Sequence, residues 1–263
     1  MQNTIDSTSL RQLIDPSNLW VSASGGRTSM MMARLIQLEF PDQDIPFVFA
    51  NTGQEHERTL EFVQECAEHW DMPIVWVEPE VHHGRRKGCT HRIVDFATAS
   101  RNGEPFEEVI RKYGIPSKAY PHCTRELKMN PMRDYIKGIL GRGHVAAVGI
   151  RGDEPRRLGR DPAIVYPMAH WWPHSKEDVL AWWRAQPFDL NLEEREGNCL
   201  WCWQKSDAKH AENLARHPEW YSFPAEMERK YAHIKAPDKP RTIFRGGRST
   251  AELIECVTLE EAS

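Results

Sequence analysis

The chain has 263 residues, 40% hydrophobic and 27% charged, with a formal net charge of −4. This composition excludes collagen-like, low-complexity and wholly disordered chains, and the length can bury a core in one ordinary domain or two small ones. No apolar run approaches bilayer-crossing length and the polar N-terminus lacks the apolar core of a signal peptide, so a soluble cytoplasmic protein is expected.

Residues 1–17 are polar and read as an N-terminal arm. Asn18 to Ala23 reads as a first strand that runs into Ser24-Gly25-Gly26-Arg27-Thr28-Ser29. Met30 to Ile36 follows, built mostly from good helix formers. The pattern repeats. Ile45 to Ala50 is an apolar strand, Asn51-Thr52-Gly53 its turn, and 56–70 carries Leu60, Val63, Cys66, Ala67 and Trp70 at helical spacing. Pro73 to Val77 reads as a third strand. Short apolar strands alternating with helices predict a Rossmann-like α/β fold, a parallel sheet covered by helices on both faces.

Residues 81–103 break this rhythm and read as an extended loop or insertion. Helices are expected at 106–113 and 125–140, with Pro131 marking a new helix start inside the second. His144 to Ile150 is the clearest late strand. A charged loop at 151–161 and a brief extended piece at 164–167 follow. Ser175-Lys176-Glu177-Asp178 is a capping-box variant that opens a helix through Trp182 and Trp183. A linker at 187–206 leads to helices at 208–215 and 224–234. The Pro-, Gly- and Arg-rich stretch 236–263 reads as a loosely ordered tail with an apolar patch at Leu253-Ile254.

Charge is unevenly distributed. Residues 81–160 hold 17 Lys or Arg against 8 Asp or Glu. A basic middle inside an acidic chain points either to an anionic ligand or to a solvated basic face. The six cysteines are too few for a disulfide scaffold. Only Cys199 and Cys202 have the C-x-x-C spacing of a metal site or redox pair. Cys66 falls on an apolar helical stripe and is expected in the core.

A strand, a glycine turn and a helix start let backbone N–H groups meet an anion. Ser24, Gly25, Gly26 and Ser29 also resemble the Ser-Gly-Gly-x-x-Ser loop of the adenine nucleotide alpha-hydrolase (PP-loop) superfamily. Four further segments resemble its phosphoadenosine phosphosulfate (PAPS) reductase branch. They are Asn51-Thr52-Gly53 with its downstream Glu-Arg-Thr, Cys123-Thr124-Arg125-Glu126-Leu127-Lys128 with Pro131, Gly149-Ile150-Arg151-Gly152-Asp153-Glu154 with Arg156-Arg157, and Gly197-Asn198-Cys199-Leu200-Trp201-Cys202.

The resemblance implies a nucleotide-binding α/β domain over 18–170 and a helical region carrying the cysteine pair over 171–235. It implies that Ser24, Gly25, Gly26, Arg27, Thr28 and Ser29, with Asn51, Thr52, Gly53, Gly149, Arg151, Asp153 and Arg157, bind an adenine nucleotide, PAPS or ATP. Cys123, Cys199, Cys202, Arg125, Lys128 and Arg151 would carry the chemistry. Asp153 and Glu154 either hold Mg²⁺ when ATP is bound or orient the arginines.

For the cysteines three readings stand. Cys123, Cys199 and Cys202 hold a [4Fe–4S] cluster, with Cys89 as fourth ligand or one iron left open. Alternatively, Cys123 or Cys89 joins the pair around Zn²⁺, with His122 or His91. In the third reading the pair is a dithiol or two buried thiols. The branch's C-terminal Glu-Cys-Gly-Leu/Ile-His nucleophile is matched only by Glu255-Cys256, followed by Val257.

The implied activity is PAPS-reductase-like sulfur chemistry. The alternatives are ATP-dependent thiolation of nucleic acid, or a non-catalytic nucleotide-binding subunit of a modification or defence complex. Implied partners are a thioredoxin-like or other electron or sulfur donor, a nucleic-acid acceptor and a second copy in a homodimer.

Overall fold

The computed structural model describes residues 15–84, 87–197 and 199–261, with side chains to 257. Most of the expected arm, Arg85 and Arg86 of the basic stretch, and Asn198 lie outside the described residues.

A six-stranded sheet has the order β4-β3-β2-β1-β5-β6. Its strands are β1 (Leu19–Ser22), β2 (Phe47–Ala50), β3 (Ile74–Val81), β4 (Cys89–Val94), β5 (Val145–Val148) and β6 (Ile164–Val165). All neighbouring pairs are parallel except β3–β4. Side chains alternate across the sheet as strand geometry requires. Leu19, Val21 and Phe47 face one core with helices α1 (Arg27–Glu39) and α2 (Glu57–Trp70). Trp20, Val48, Val77 and Ala146 face the other, against Met132 and Ile136.

The stretch 81–103, expected as a loop, is corrected by the structure. The third strand runs on to Val81, and Cys89–Val94 returns antiparallel beside it, pairing Val81 with Cys89 and Trp76 with Val94. This is an edge strand with one face in solvent, where Ile93 is 63% exposed. Its polar residues hid its strand character from an apolar-run reading.

Helix α3 (Glu104–Tyr113) follows, then a π-helical stretch Thr124–Met129 that passes into α4 (Asn130–Leu140). Pro131 sits in the first turn of α4, as expected. A short helix α5 (Pro167–His170) precedes α6 (Lys176–Arg184), whose start is a full capping box between Ser175 and Asp178. Helices α7 (Asp207–Arg216), α8 (Ser222–Tyr231) and α9 (Thr250–Glu261) close the chain. The expected looseness of the tail is also corrected for its described residues, 236–261. Ile243, Phe244, Leu253 and Val257 are buried in a second apolar cluster with Phe106, Ile110, Leu127 and Trp201. The apolar residues there are few but widely spaced, and only packing against α7 and α8 makes them a face.

The tryptophans serve this architecture. Trp183 is fully buried against Phe62, Trp70 and Phe188 and donates from Nε1 to the Arg27 carbonyl at 2.9 Å. Replacing Trp183 by Ala should cost about 3–5 kcal/mol of unfolding free energy in urea denaturation, the usual loss for a buried large aromatic. Ile93→Thr on the exposed edge should stay within about 0.5 kcal/mol.

Candidate functional site

The chain leaves β1 in one direction toward β2 and β3, and later returns to β5 on its other side, so β1–β5 is the point where strand order reverses. The carboxyl ends of β1 and β5 lie side by side there, the usual ligand position in such sheets. The 24–29 loop follows β1. Gly25 has φ +74°, and a Cβ on it would meet Thr59 Cγ2 at 2.6 Å, so this turn needs glycine. Gly26 caps α1 without a side chain, and no acidic residue lies in the first turn. The positive end of α1 is thus left for an anion. Ser29 Oγ receives the Ser24 amide at 3.1 Å and the Ser24 hydroxyl at 2.8 Å, and donates to the Gly26 carbonyl at 3.0 Å.

Gly149 lies opposite this loop. A Cβ there would lie 2.7 Å from Ser29 Cα, so the end of β5 abuts the start of α1. Arg151 then reaches across, with Nη1 3.4 Å from Thr28 Oγ1 and Nε 2.8 Å from Asp153. Asp153 also accepts the Lys176 amide at 3.0 Å, fastening α6 to this loop. Arg157 pairs with Glu154. Arg27 has a different local partner: its guanidinium grips Asp189 through two 2.7 Å bonds and donates to the Leu192 carbonyl at 3.0 Å.

One strand over, the turn after β2 is buried. Asn51 Nδ2 donates to Glu78 at 2.6 Å and to the Ser100 carbonyl at 2.8 Å. The Gly53 amide donates to Asn51 Oδ1 at 3.1 Å. Gly53 itself, at φ +76°, packs against the Gly103 backbone. Glu55 Oε2 accepts the Thr52 amide at 2.9 Å and its hydroxyl at 2.8 Å.

The cysteine pair docks on this same turn. Glu55 and Cys199 form an antiparallel bridge, the Leu200 amide donates to the Gln54 carbonyl at 2.9 Å, and Trp201 Nε1 donates to Gln54 Oε1 at 2.5 Å. Cys199 Sγ lies 3.6 Å from Thr52 Oγ1. Lys128 Nζ, from the π-helical stretch, lies 3.5 Å from the other Glu55 oxygen, which has no hydrogen bond among the described residues. Lys205 Nζ donates to the Cys199 and Leu200 carbonyls at 2.9 and 2.8 Å.

Burial sets the protonation here. It pushes the Cys199 thiol up to about 12, with Glu55 adding to the effect and Lys128 opposing it. Burial raises the Cys202 thiol too, helped by nearby Cys123. At Lys128 burial works against the ammonium, but Cys199, Glu55 and Cys202 outweigh it and hold the group above its ordinary value. Burial pulls Lys205 down to about 8.

Cys202 is thus within electrostatic reach of Cys123, Lys128 and Lys205, and Cys199 of Cys202 and Lys128. Soft thiols beside positive charge suit a thiolate-bound iron–sulfur or zinc centre. Among the described residues no three Cys, His, Asp or Glu side chains stand at metal-binding spacing. Cys89 is drawn elsewhere: its thiol bonds Glu126 and Tyr113, and burial lifts it to about 12. Burial holds His122 down at about 4. His91 pairs with Asp134 at 2.7 Å, and Arg125 with Glu126 at 2.7 Å. Cys256 is exposed on α9, beside Arg248.

Residues 18–96 match the family model described as the phosphoadenosine phosphosulfate reductase domain. The uncharacterized nin region protein ORF290 of Escherichia phage lambda is 39% identical over 194 residues, 72% of this chain and 67% of that protein. The chain belongs to the family of this lambda protein, and its residues 18–96 carry a phosphoadenosine phosphosulfate reductase domain. An uncharacterized protein of Methanocaldococcus jannaschii is 26% identical over 57% of this chain, a match that spans 28% of its own length. A solved structure, the phosphate complex of phosphoadenylyl-sulfate reductase from Candida auris, aligns with TM-score 0.42 and 16% identity over 67% of this chain and 75% of that one.

Within this reductase-domain chain, Glu55, Glu78, Arg92, Ser100, Asp189 and Lys205 went unmarked in the sequence. Glu78 is fully buried and accepts from Asn51, Ser100 and Arg92. Thr52-Gly53-Gln54-Glu55 has the Thr-x-x-Glu pattern of a capping box, and that signal marks Glu55.

A thiol raised in the fold favours folding below its ordinary value, and this contribution fades as pH climbs through the folded value. In the metal-free native chain, iodoacetamide at about pH 8.5, the ordinary thiol value, should modify exposed Cys256 and spare Cys199. Cys199 should react as the pH nears about 12. Peptide mass spectrometry reads the order, and fast labelling of Cys199 in the folded chain at the lower pH would contradict its burial.

Proposed function

We propose that the chain is an enzyme that binds an adenine nucleotide between the 24–29 and 149–157 loops and performs sulfur chemistry at Cys123, Cys199 and Cys202. One observation carries the reading: the Cys199 thiol sits 3.6 Å from Thr52, at the end of the strand next to the glycine loop. Thiols and the anion-binding helix start thus share one edge of the sheet.

In this reading the α1 amides, Ser24, Thr28 and Ser29 hold phosphate oxygens, and Arg151 offsets charge that builds on a leaving group. With PAPS, a thiolate attacks the sulfate sulfur, the sulfur–oxygen bond breaks, and adenosine 3′,5′-bisphosphate leaves with the electron pair. With ATP, an acceptor oxygen attacks the α-phosphorus and pyrophosphate leaves; Asp153 and Glu154 would hold a Mg²⁺ ion that offsets the triphosphate charge. A protonated thiol at Cys199 is a poor nucleophile but deprotonates readily on binding metal. This favours Cys123, Cys199 and Cys202 as ligands of an iron–sulfur cluster, which when bound supplies sulfide or electrons. Zn²⁺ on the same thiols is the alternative. Lys128 would then steady the thiolates and Glu55 would orient Lys128.

Anaerobically purified protein should carry about four iron and four sulfide per chain, lost in Cys199→Ala while calorimetric binding of ATP or PAPS persists. Ser29→Ala should weaken nucleotide binding by roughly tenfold or more, since hydrogen bonds to charged groups are among the stronger ones, while leaving the iron. Binding of neither nucleotide would overturn the reading. Release of pyrophosphate or of adenosine 3′,5′-bisphosphate identifies the chemistry.

A further inference from the structure

A second site lies on the other side of the π-helical stretch. A cleft of about 690 Å³ is lined by His83, Lys87, Arg111, Lys112, Arg125 and Lys235, with Glu126 as the one carboxylate among its described lining residues. Its five Lys and Arg side chains come from four separate segments: the loop after β3, the end of α3, the π-helical stretch and the chain after α8. Convergence of this kind is not the solvated face of one helix. Some of these charges have local partners. Arg111 pairs with Glu108, Arg125 pairs with Glu126, and Lys112 donates to the carbonyls of His82 and Lys87. Lys87 and Lys235 have no carboxylate partner among the described residues, and both are exposed. They leave a net positive cleft open to an anion.

The backbone holds the far wall in place. Gly114 has φ +85°, and a Cβ on it would meet the Ile234 carbonyl oxygen at 2.5 Å, so the chain leading to Lys235 lies directly on the end of α3. Arg241 donates to the carbonyls of Tyr113 and Lys235, both at 3.1 Å. Its guanidinium lies 3.7 Å from the centre of the Tyr120 ring. Tyr120 is 46% exposed. One face of this tyrosine is therefore backed by a cation that is itself bonded to the backbone of Tyr113 and Lys235, two residues that line the cleft.

We infer that this cleft binds a single-stranded nucleic acid. Its volume falls in the range that encloses a ligand far larger than one phosphate group. Dispersed cations suit successive phosphates, and an exposed, backed aromatic ring suits a stacked base. Arg125 lines the cleft and lies two residues from Cys123 in the chain. As an acceptor site the cleft rests on the proposed sulfur chemistry. Its affinity for a strand does not.

The test is fluorescence anisotropy with short labelled single-stranded RNA and DNA of mixed sequence, on the full chain without nucleotide. Wild type should bind with strong salt dependence. Lys87→Glu with Lys235→Glu should weaken binding at least about tenfold and reduce the salt slope by about 1.4, the value for two lost phosphate contacts on a single strand. Tyr120→Ala should weaken binding about fivefold or more with the salt slope unchanged. Ser29→Ala should leave strand binding intact while impairing nucleotide binding, which separates this site from the nucleotide site. Thermal melts verify that each variant is folded. Absence of strand binding by wild type, indifference to the two lysine reversals, or equally tight binding of a duplex of the same sequence would overturn the inference.

Discussion

The buried polar turn at the end of β2 is the constraint on which the rest of the structure depends. Asn51, Thr52, Gln54 and Glu55 are all buried, so their donors and acceptors depend on partners inside the protein. Each one left unmet costs about 1–3 kcal/mol. The one Glu55 oxygen without a hydrogen bond among the described residues faces the Lys128 ammonium. The partners come from distant parts of the chain. Glu78 and Ser100 answer Asn51, Trp201 and Leu200 answer Gln54, and Lys128 faces Glu55. One turn thereby joins the sheet, the edge strand, the π-helical stretch and the cysteine loop.

That junction explains why the thiols lie where they do. The cysteine loop has no regular secondary structure to hold it. Trp201, stacked on Phe223 and packed on Phe106, anchors it from below, and Lys205 ties down two of its carbonyls. The loop is pinned at Cys199 and just after it, and the Cys199 side chain is delivered to Thr52. Burial raises both thiols, Lys128 opposes that effect at each, and Lys205 opposes it at Cys202.

The glycine-loop region is built differently. It consists of backbone and small side chains brought close by glycines at 25 and 149, where a Cβ would collide with Thr59 or Ser29. Arg27 and Arg151, adjacent in space to that region through α1 and Thr28, divide the work. Arg27 clamps the segment at Asp189 and Leu192 to the helix start, whereas Arg151 points across the loop. Two arginines near one glycine loop need not share a role, because a guanidinium held by a bidentate carboxylate has most of its donors engaged.

The alternation of strands and helices, the glycine loop, the capping box at Ser175 and the helix start at Pro131 were legible in the sequence. Each is a local pattern of spacing or backbone permission that needs no distant partner. The family motifs likewise marked Thr52, Lys128 and Cys199 before any contact among them was known. What the tertiary structure decided was long-range. Cys89–Val94 became a strand because β3 offered an edge, and α9 became ordered because α7 and α8 covered its few apolar residues. Thr52 and Cys199 met across 147 residues of chain. Glu78 acquired meaning only when Asn51, Arg92 and Ser100 converged on it. Periodicity records which face of an element avoids water. It does not record which polar groups will be buried together, because that depends on the full three-dimensional set of donors and acceptors that folding brings into one place.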